Sequence, residues 1–207
     1  MSQPPNLLYT LEQQLSKAGL TVHDEDVALA GVRAMLRLAG EDPTRAGLLD
    51  TPQRVVKAWR ELTARPNNPE TLLAVMFDDA GPVDEMVAVG PMPFTSLCEH
   101  HLLPFTGVAW VAYLPTSKGV IGLSKLPRLL EHYARRPQVQ ERLTNQLTQA
   151  INTYVSTSAA CVIKATHTCA TARGVSKPSP MTTSSLTGAF KANPETRAEF
   201  MALTRDA

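Results

Sequence analysis

Cys98-Glu99-His100-His101 packs a thiol, a carboxylate and two imidazoles into four consecutive residues, and the chain then returns to apolar sequence at Leu102-Leu103-Pro104-Phe105. Far downstream stands a second short cluster, His167-Thr168-Cys169. Cysteine sulfur and histidine nitrogen together form a ligand set that suits zinc. Cys98 and His101 are separated by two residues, so both can reach one ion from a single turn of chain, and Cys169 is a third candidate. His167 leaves two readings open. As a fourth ligand it would close a Cys2His2 structural site. Left free, it would be an acid–base group poised near neutral pH, beside an ion with one position open for water. Joint ligation by the neighbours His100 and His101 would be awkward, which leaves an imidazole over and favours the open version. Spacing alone does not decide.

A second arrangement suits anions. Ser124 stands where a helix should start, with Lys125 and Arg128 on one side of it. A helix N-terminus with two cations is a phosphate site, although two such cations are also an ordinary solvated face. Thr51-Pro52 opens another helix, with Arg54 in its first turn. A cation there opposes the helix dipole, and taken alone it reads as a surface arginine.

The patterning supplies elements to hold these groups. Leu7, Leu8, Leu11 and Leu15 stripe a helix over 6–18, and Val27, Val32, Met35 and Leu36 stripe one over 24–38, capped by Asp24. The Thr51-Pro52 helix stops near Arg65-Pro66, and 66–83 read as loop around a short helical patch. Period-two alternation then predicts strands at 86–90 and 106–114, which puts the Cys98 cluster on the connection between them. Val120 to Ser124 ends a short strand, and Ser124 caps the helix that follows. Arg135-Arg136-Pro137 breaks that helix, and Val139, Leu143, Leu147, Ile151 and Val155 stripe the next. Over 159–169 the residues Cys161, Ile163, Ala165, His167 and Cys169 share one strand face, with His167 and Cys169 about 7 Å apart along it. Cys161 reads as a small core residue. A last strand is expected over 182–190 and a closing helix over 194–203. This order predicts an α+β fold, an antiparallel sheet with helices on one face.

Composition narrows the class. With 207 residues, 43% of them apolar and 19% charged, the chain can bury a full core without disulfides. A net charge of +1 gives no broad footprint for nucleic acid or an anionic membrane, so any anion must be held locally. Three cysteines, an odd and sparse count, argue for a reducing compartment. No basic start followed by an apolar run, and no stretch long enough to cross a bilayer, is present. The expectation is a soluble cytoplasmic protein that binds neither nucleic acid nor membrane.

Over residues 40 to 204 the motifs resemble those of the zinc-dependent GTP cyclohydrolase I family. The resemblance is carried by Glu41-Asp-Pro-Thr-Arg-Ala-Gly-Leu-Leu-Asp-Thr-Pro-Gln-Arg54, Ser96-Leu-Cys-Glu-His-His-Leu-Leu-Pro-Phe105 and Gly122-Leu-Ser-Lys-Leu126. It continues through Arg135-Arg-Pro-Gln-Val-Gln-Glu-Arg-Leu143, His167-Thr-Cys169, Arg173-Gly-Val175 and Arg197-Ala-Glu-Phe200. It implies the tunnelling fold (T-fold), an antiparallel sheet with two helices on one face plus N-terminal helices. Residues 1–40 would be a helical extension and 41–207 the catalytic domain. The family assembles as a homodecamer of two stacked pentamers with sites between subunits.

The resemblance also assigns roles. Cys98, His101 and Cys169 match the zinc ligands. His167 matches the proton donor to N7 of guanine, and His100 would orient water or shuttle protons. Ser124 matches the serine near the ribose. Glu141 matches the carboxylate that accepts the guanine N–H groups, with Gln140 supporting the pocket. Lys125, Arg128 and Arg173 match cations on the triphosphate, and Arg54 one that reaches it from a neighbouring chain. The implied reaction is hydrolysis of GTP at guanine C8 with loss of formate, then rearrangement and ring closure to 7,8-dihydroneopterin triphosphate. That product opens folate, pterin and 7-deazaguanine routes.

Overall fold

Alternating side chains dominate the middle of the chain, and they form the sheet that carries the candidate site. The structure, a computed structural model, describes residues 23–77, 83–117, 119–177 and 179–205. In order, the elements are α1 (Asp24–Leu38), α2 (Thr51–Thr63), α3 (Pro69–Leu73), β1 (Met76–Phe77), β2 (Val87–Cys98), β3 (Pro104–Tyr113), β4 (Val120–Ile121) and α4 (Lys125–Ala134). Then follow β5 (Pro137–Gln138), α5 (Gln140–Tyr154), β6 (Ala159–His167), α6 (Thr168–Thr171), β7 (Met181–Leu186), α7 (Gly188–Ala192) and α8 (Pro194–Leu203).

The chain divides into two compact units, Met1–Glu61 and Leu62–Ala207. In the first, α1 has the expected bounds, but its N-cap is His23 rather than Asp24. Asp24, Glu25 and Asp26 instead fill the first turn, where carboxylates complement the helix dipole. Glu25 accepts from Arg60 of α2 at 2.7 Å. The helix expected over 6–18 lies outside the described residues.

In the second unit a five-stranded sheet runs in the order β5-β2-β3-β6-β7. β2–β3, β3–β6 and β6–β7 are antiparallel, as expected. Only the short β5 joins in parallel, pairing Leu97 with Pro137 and Cys98 with Gln138. One sheet face offers Phe105, Ala109, Val111 and Tyr113 of β3 and Cys161, Ile163 and Ala165 of β6. Leu126, Leu129, Leu130 and Ala134 of α4 and Leu143, Leu147, Ala150 and Ile151 of α5 cover it, each set a stripe at helical spacing. Cys161 is fully buried there, and burial drives its thiol far above the usual range, as suits a core residue.

The opposite face differs from expectation. Trp110, Ala112, Ala160 and Val162 pack against Phe190 and Phe200. The chain does not stay extended to Phe190: it leaves the sheet after Leu186 and turns at Gly188, at φ +52°. A Cβ on Gly188 would lie 2.3 Å from Ser158 Oγ, so glycine is needed there twice over. α7 and α8 then bring Phe190 and Phe200 together edge to face, with centroids 5.7 Å apart.

Hydroxyl groups seat α5 on β7. Thr144 meets Thr183 at 2.6 Å, Thr148 meets Ser185 at 2.7 Å, and Thr187 donates to Asn152 at 2.9 Å. Steps of four on a helix (about 6 Å) match steps of two on a strand (about 6.8 Å). This ladder fixes where the first turn of α5 stands.

Strands β3 and β6 approach closely at Gly107, where a Cβ would sit 2.1 Å from the Lys164 carbonyl oxygen and 2.6 Å from Ala165. Gly107→Ala is therefore expected to cost about 1–3 kcal/mol, the range for overpacking. A lowered urea midpoint at unchanged slope checks it.

Candidate active site

The turn between β2 and β3 is closed by its own backbone. Cys98 N–H donates to Leu103 O at 2.8 Å, while His101 N–H and Leu102 N–H both reach Cys98 O, at 3.3 and 2.7 Å. Leu102 takes φ 55°, a strained value for a γ-branched side chain and one that recurs at functional turns. Cys98 is not on the connection itself, as the sequence pattern suggested; it is the last residue of β2 and is buried. One turn of chain therefore carries His101 back to it, with His101 Nδ1 3.8 Å from Cys98 Sγ.

The third member arrives by a route the alternation did not predict. β6 ends at His167, and Cys169 lies in the short helix α6. Coiling shortens the separation that an extended strand would impose. The ligand atoms of Cys98, His101 and Cys169 all fall within 4.8 Å of one another. A tetrahedral ion with bonds of about 2.0–2.3 Å sets its donors roughly 3.3–3.8 Å apart, so this donor set fits a metal ion with an inward adjustment of about 1 Å or less. Burial, then the neighbouring Cys98 thiol, push Cys169 above its usual range. Arg173, just beyond α6, pulls the other way. A cation between the sulfurs would relieve that crowding.

His167 is held separately. Its ring stacks on Phe105, its cross-strand partner, with centroids 4.4 Å apart and planes 6° from parallel. Its Nε2 lies 2.9 Å from Gln140 Oε1. The Gln140 amide nitrogen is committed to acceptors, Ile163 O at 3.1 Å and Met181 O at 3.0 Å, so its oxygen must face the histidine. His167 Nε2 therefore donates, and Nδ1 is the nitrogen left for other work. Burial lowers the pKa of His167, while the nearby charge of Glu141 opposes that shift. Gln140 is buried, and Glu141 stands exposed in the first turn of α5.

His100 is exposed, with Nδ1 4.0 Å from Cys98 Sγ and its ring edge-on to His101. Among the described residues Cys98, His101, Cys169, His100, His167, Gln140, Glu141 and Arg173 form one neighbourhood. Ser124, Lys125 and Arg128 stand at the start of α4, outside that network of direct contacts. Ser124 occupies the N-cap position without making a side-chain cap bond, a correction to the capping role read from sequence. Arg54 belongs to the first unit, on α2, where it pairs with Asp50 at 3.3 Å.

Two contributors carried no clear signal in the sequence. Phe105 could have been suspected from its place just after the His-His pair. The pair Glu99–Arg142, joined by two hydrogen bonds of 2.7 and 2.8 Å, links residues 43 apart and left no pattern to read.

The model of the GTP cyclohydrolase I family matches residues 28–205. GTP cyclohydrolase 1 of Rhodopirellula baltica is 49% identical over 177 residues, 84% of this chain and 76% of that protein. GTP cyclohydrolase 1 of Corynebacterium glutamicum is 45% identical over 91% of this chain and 97% of its own length. The Mycobacterium tuberculosis protein of that name is 45% identical over 93% and 96%. Matches of this length and identity, over a sheet-and-helix architecture of the tunnelling type, mean that the chain belongs to the GTP cyclohydrolase I family of enzymes.

Proposed function

We propose that this enzyme is a zinc-dependent hydrolase of GTP that opens the guanine ring at C8, releases formate and forms 7,8-dihydroneopterin triphosphate. The observation that carries the reading is the convergence of the Cys98–His101–Cys169 donor set with a histidine held by Gln140 and a carboxylate, Glu141, beside it. Zinc held by Cys98, His101 and Cys169 would supply a Lewis acid that makes water a usable nucleophile near neutral pH.

The remaining roles fall to the chain's own groups. Glu141 accepts hydrogen bonds from the guanine N–H donors and fixes the base. Gln140 holds His167 in one tautomer. With its Nε2 proton held by Gln140, His167 acts as the imidazolium, which the nearby Glu141 charge favours, and passes its Nδ1 proton to N7, returning to the neutral Nε2–H form and making C8 electrophilic. His100, exposed beside Cys98, orients water or relays protons. Ser124 acts at the ribose, where ring opening leads into the rearrangement. Lys125, Arg128 and Arg173 hold the triphosphate, joined by Arg54 from a neighbouring chain in a homodecamer of two stacked pentamers. Exposed apolar side chains such as Leu123 and Val175, at 72% and 71% exposure, support burial in such an assembly.

Residues 41–207 would then be the catalytic domain. The three free cysteines agree with a cytoplasmic setting, and no described helix is long and apolar enough to cross a membrane.

The test is incubation of the zinc-loaded protein with GTP, followed by oxidation and detection of pterin fluorescence with formate in equal amount. Absence of both products would sink the proposal. Glu141→Gln removes one charge-assisted contact, expected to be worth about 1.5–3 kcal/mol, or roughly 10–150-fold in kcat/KM. Unchanged kinetics in that variant would take Glu141 out of the base pocket.

A further inference from the structure

We propose that Glu99 and Arg142 are positioning residues, a fork-to-fork pair that locks the metal-ligand turn against the first turn of α5. The inference rests on the site reading above, with Cys98, His101 and Cys169 as ligands and Glu141 at the base.

Glu99 stands between two candidate ligands in the chain, Cys98 and His101. Arg142 follows Glu141 directly and lies two residues beyond Gln140. The two terminal guanidinium nitrogens each donate to one carboxylate oxygen, Nη1 to Oε2 at 2.7 Å and Nη2 to Oε1 at 2.8 Å. This bidentate form fixes orientation as well as distance.

The backbone beneath is joined in the same place. Glu99 N–H donates to Gln138 O at 3.0 Å, and Cys98 pairs with Gln138 across β2 and β5. Gln138 is buried, donating to Tyr133 O at 3.0 Å and to Gln146 Oε1 at 2.9 Å. The turn and the entry to α5 thus meet at two points, one in the backbone and one between side chains. A single point would leave the turn free to pivot.

The Arg142 and Glu99 side chains are 40% and 32% exposed, and a pair so placed adds little to global stability. Its consequence is local. Arg135–Glu131 and Lys57–Glu61 join neighbours along one helix, whereas Glu99–Arg142 spans 43 residues and connects the two halves of the site. Losing it lets the metal turn and the base-binding carboxylate move independently.

The test uses the full-length, zinc-loaded protein with Glu99→Gln, Arg142→Gln, the double variant and Arg142→Lys. Metal release to a colorimetric chelator is timed, and kcat and KM are measured separately. Each single glutamine variant is expected to release metal about 10–100-fold faster, with a comparable loss carried mainly by kcat. The double variant should be no worse than either single, because one contact is lost once. Arg142→Lys keeps the charge without the fork and should fall between.

Release within twofold of the unmodified protein in both singles would overturn the pair, as would effects that simply add. Arg142→Lys matching the unmodified protein would overturn the fork geometry. An unmodified protein that holds no metal takes down the site reading and this inference together. One that holds metal and turns over, with Glu99→Gln indistinguishable from it, takes down this inference alone.

Discussion

Replacing His167 with alanine is expected to leave the metal content unchanged while turnover of GTP falls about 10²–10⁴-fold, the usual contribution of a positioned acid–base group. Its ring is spoken for on two sides. Phe105 covers one face at 4.4 Å, and Gln140 Oε1 accepts a hydrogen bond from Nε2 at 2.9 Å. Gln140 cannot rotate its amide without losing its bonds to Ile163 O and Met181 O. The histidine is thus anchored by the protein and stands outside the three-residue donor set. Metal analysis of the purified variant, beside single-turnover measurement of formate release, checks both halves. Retained turnover would remove His167 from the chemistry.

Cys169→Ala should fail in both respects, losing the metal and the activity together. Only one residue of α6 reaches the donor set, so no neighbour can substitute for its sulfur. The loss of Lewis acidity, worth several kcal/mol, is expected to lower turnover about 10³-fold or more. Cys161→Ala is the matched control. Cys161 is fully buried on β6 among apolar side chains, so that change trims the core and leaves metal content and kcat in place. Dialysis against zinc followed by elemental analysis and the pterin assay separates the two cysteines. Full metal content in Cys169→Ala would break the ligand assignment.

Much of this candidate site is legible in the sequence. The Cys98–His101 spacing is local, so a single turn of chain sets it and brings His101 Nδ1 to 3.8 Å from Cys98 Sγ. Alternation on β6 put Cys161, Ile163, Ala165 and His167 on one face, and the register against β3 agrees, pairing His167 with Phe105. The same rule failed two residues later because it assumes the strand continues. Thr168 instead turns into α6, its hydroxyl donating to Pro104 O, and Cys169 moves with it. The failure at Phe190 has a similar cause. An apolar residue reads alike on a strand or a helix, and only the turn at Gly188 shows that the chain crosses to the other face of the sheet.

What stayed hidden is long-range. Nothing local in Glu99-His100 or in Glu141-Arg142 announces that a carboxylate and a guanidinium 43 residues apart will meet. Gln140 was visible through family resemblance as a support of the pocket. Its chemical task, orienting His167, follows only from the positions of the Ile163 and Met181 carbonyls around it. Buried polar groups must find partners, and which partner they find is settled by topology rather than by sequence neighbours.

The most direct measurement is X-ray absorption at the zinc edge, on the active, nucleotide-free protein and on His167→Ala. The expected shell in both is two sulfurs, one imidazole nitrogen and one light atom from solvent. A second imidazole that disappears in His167→Ala would mean a closed structural site, and the hydrolytic account would not stand.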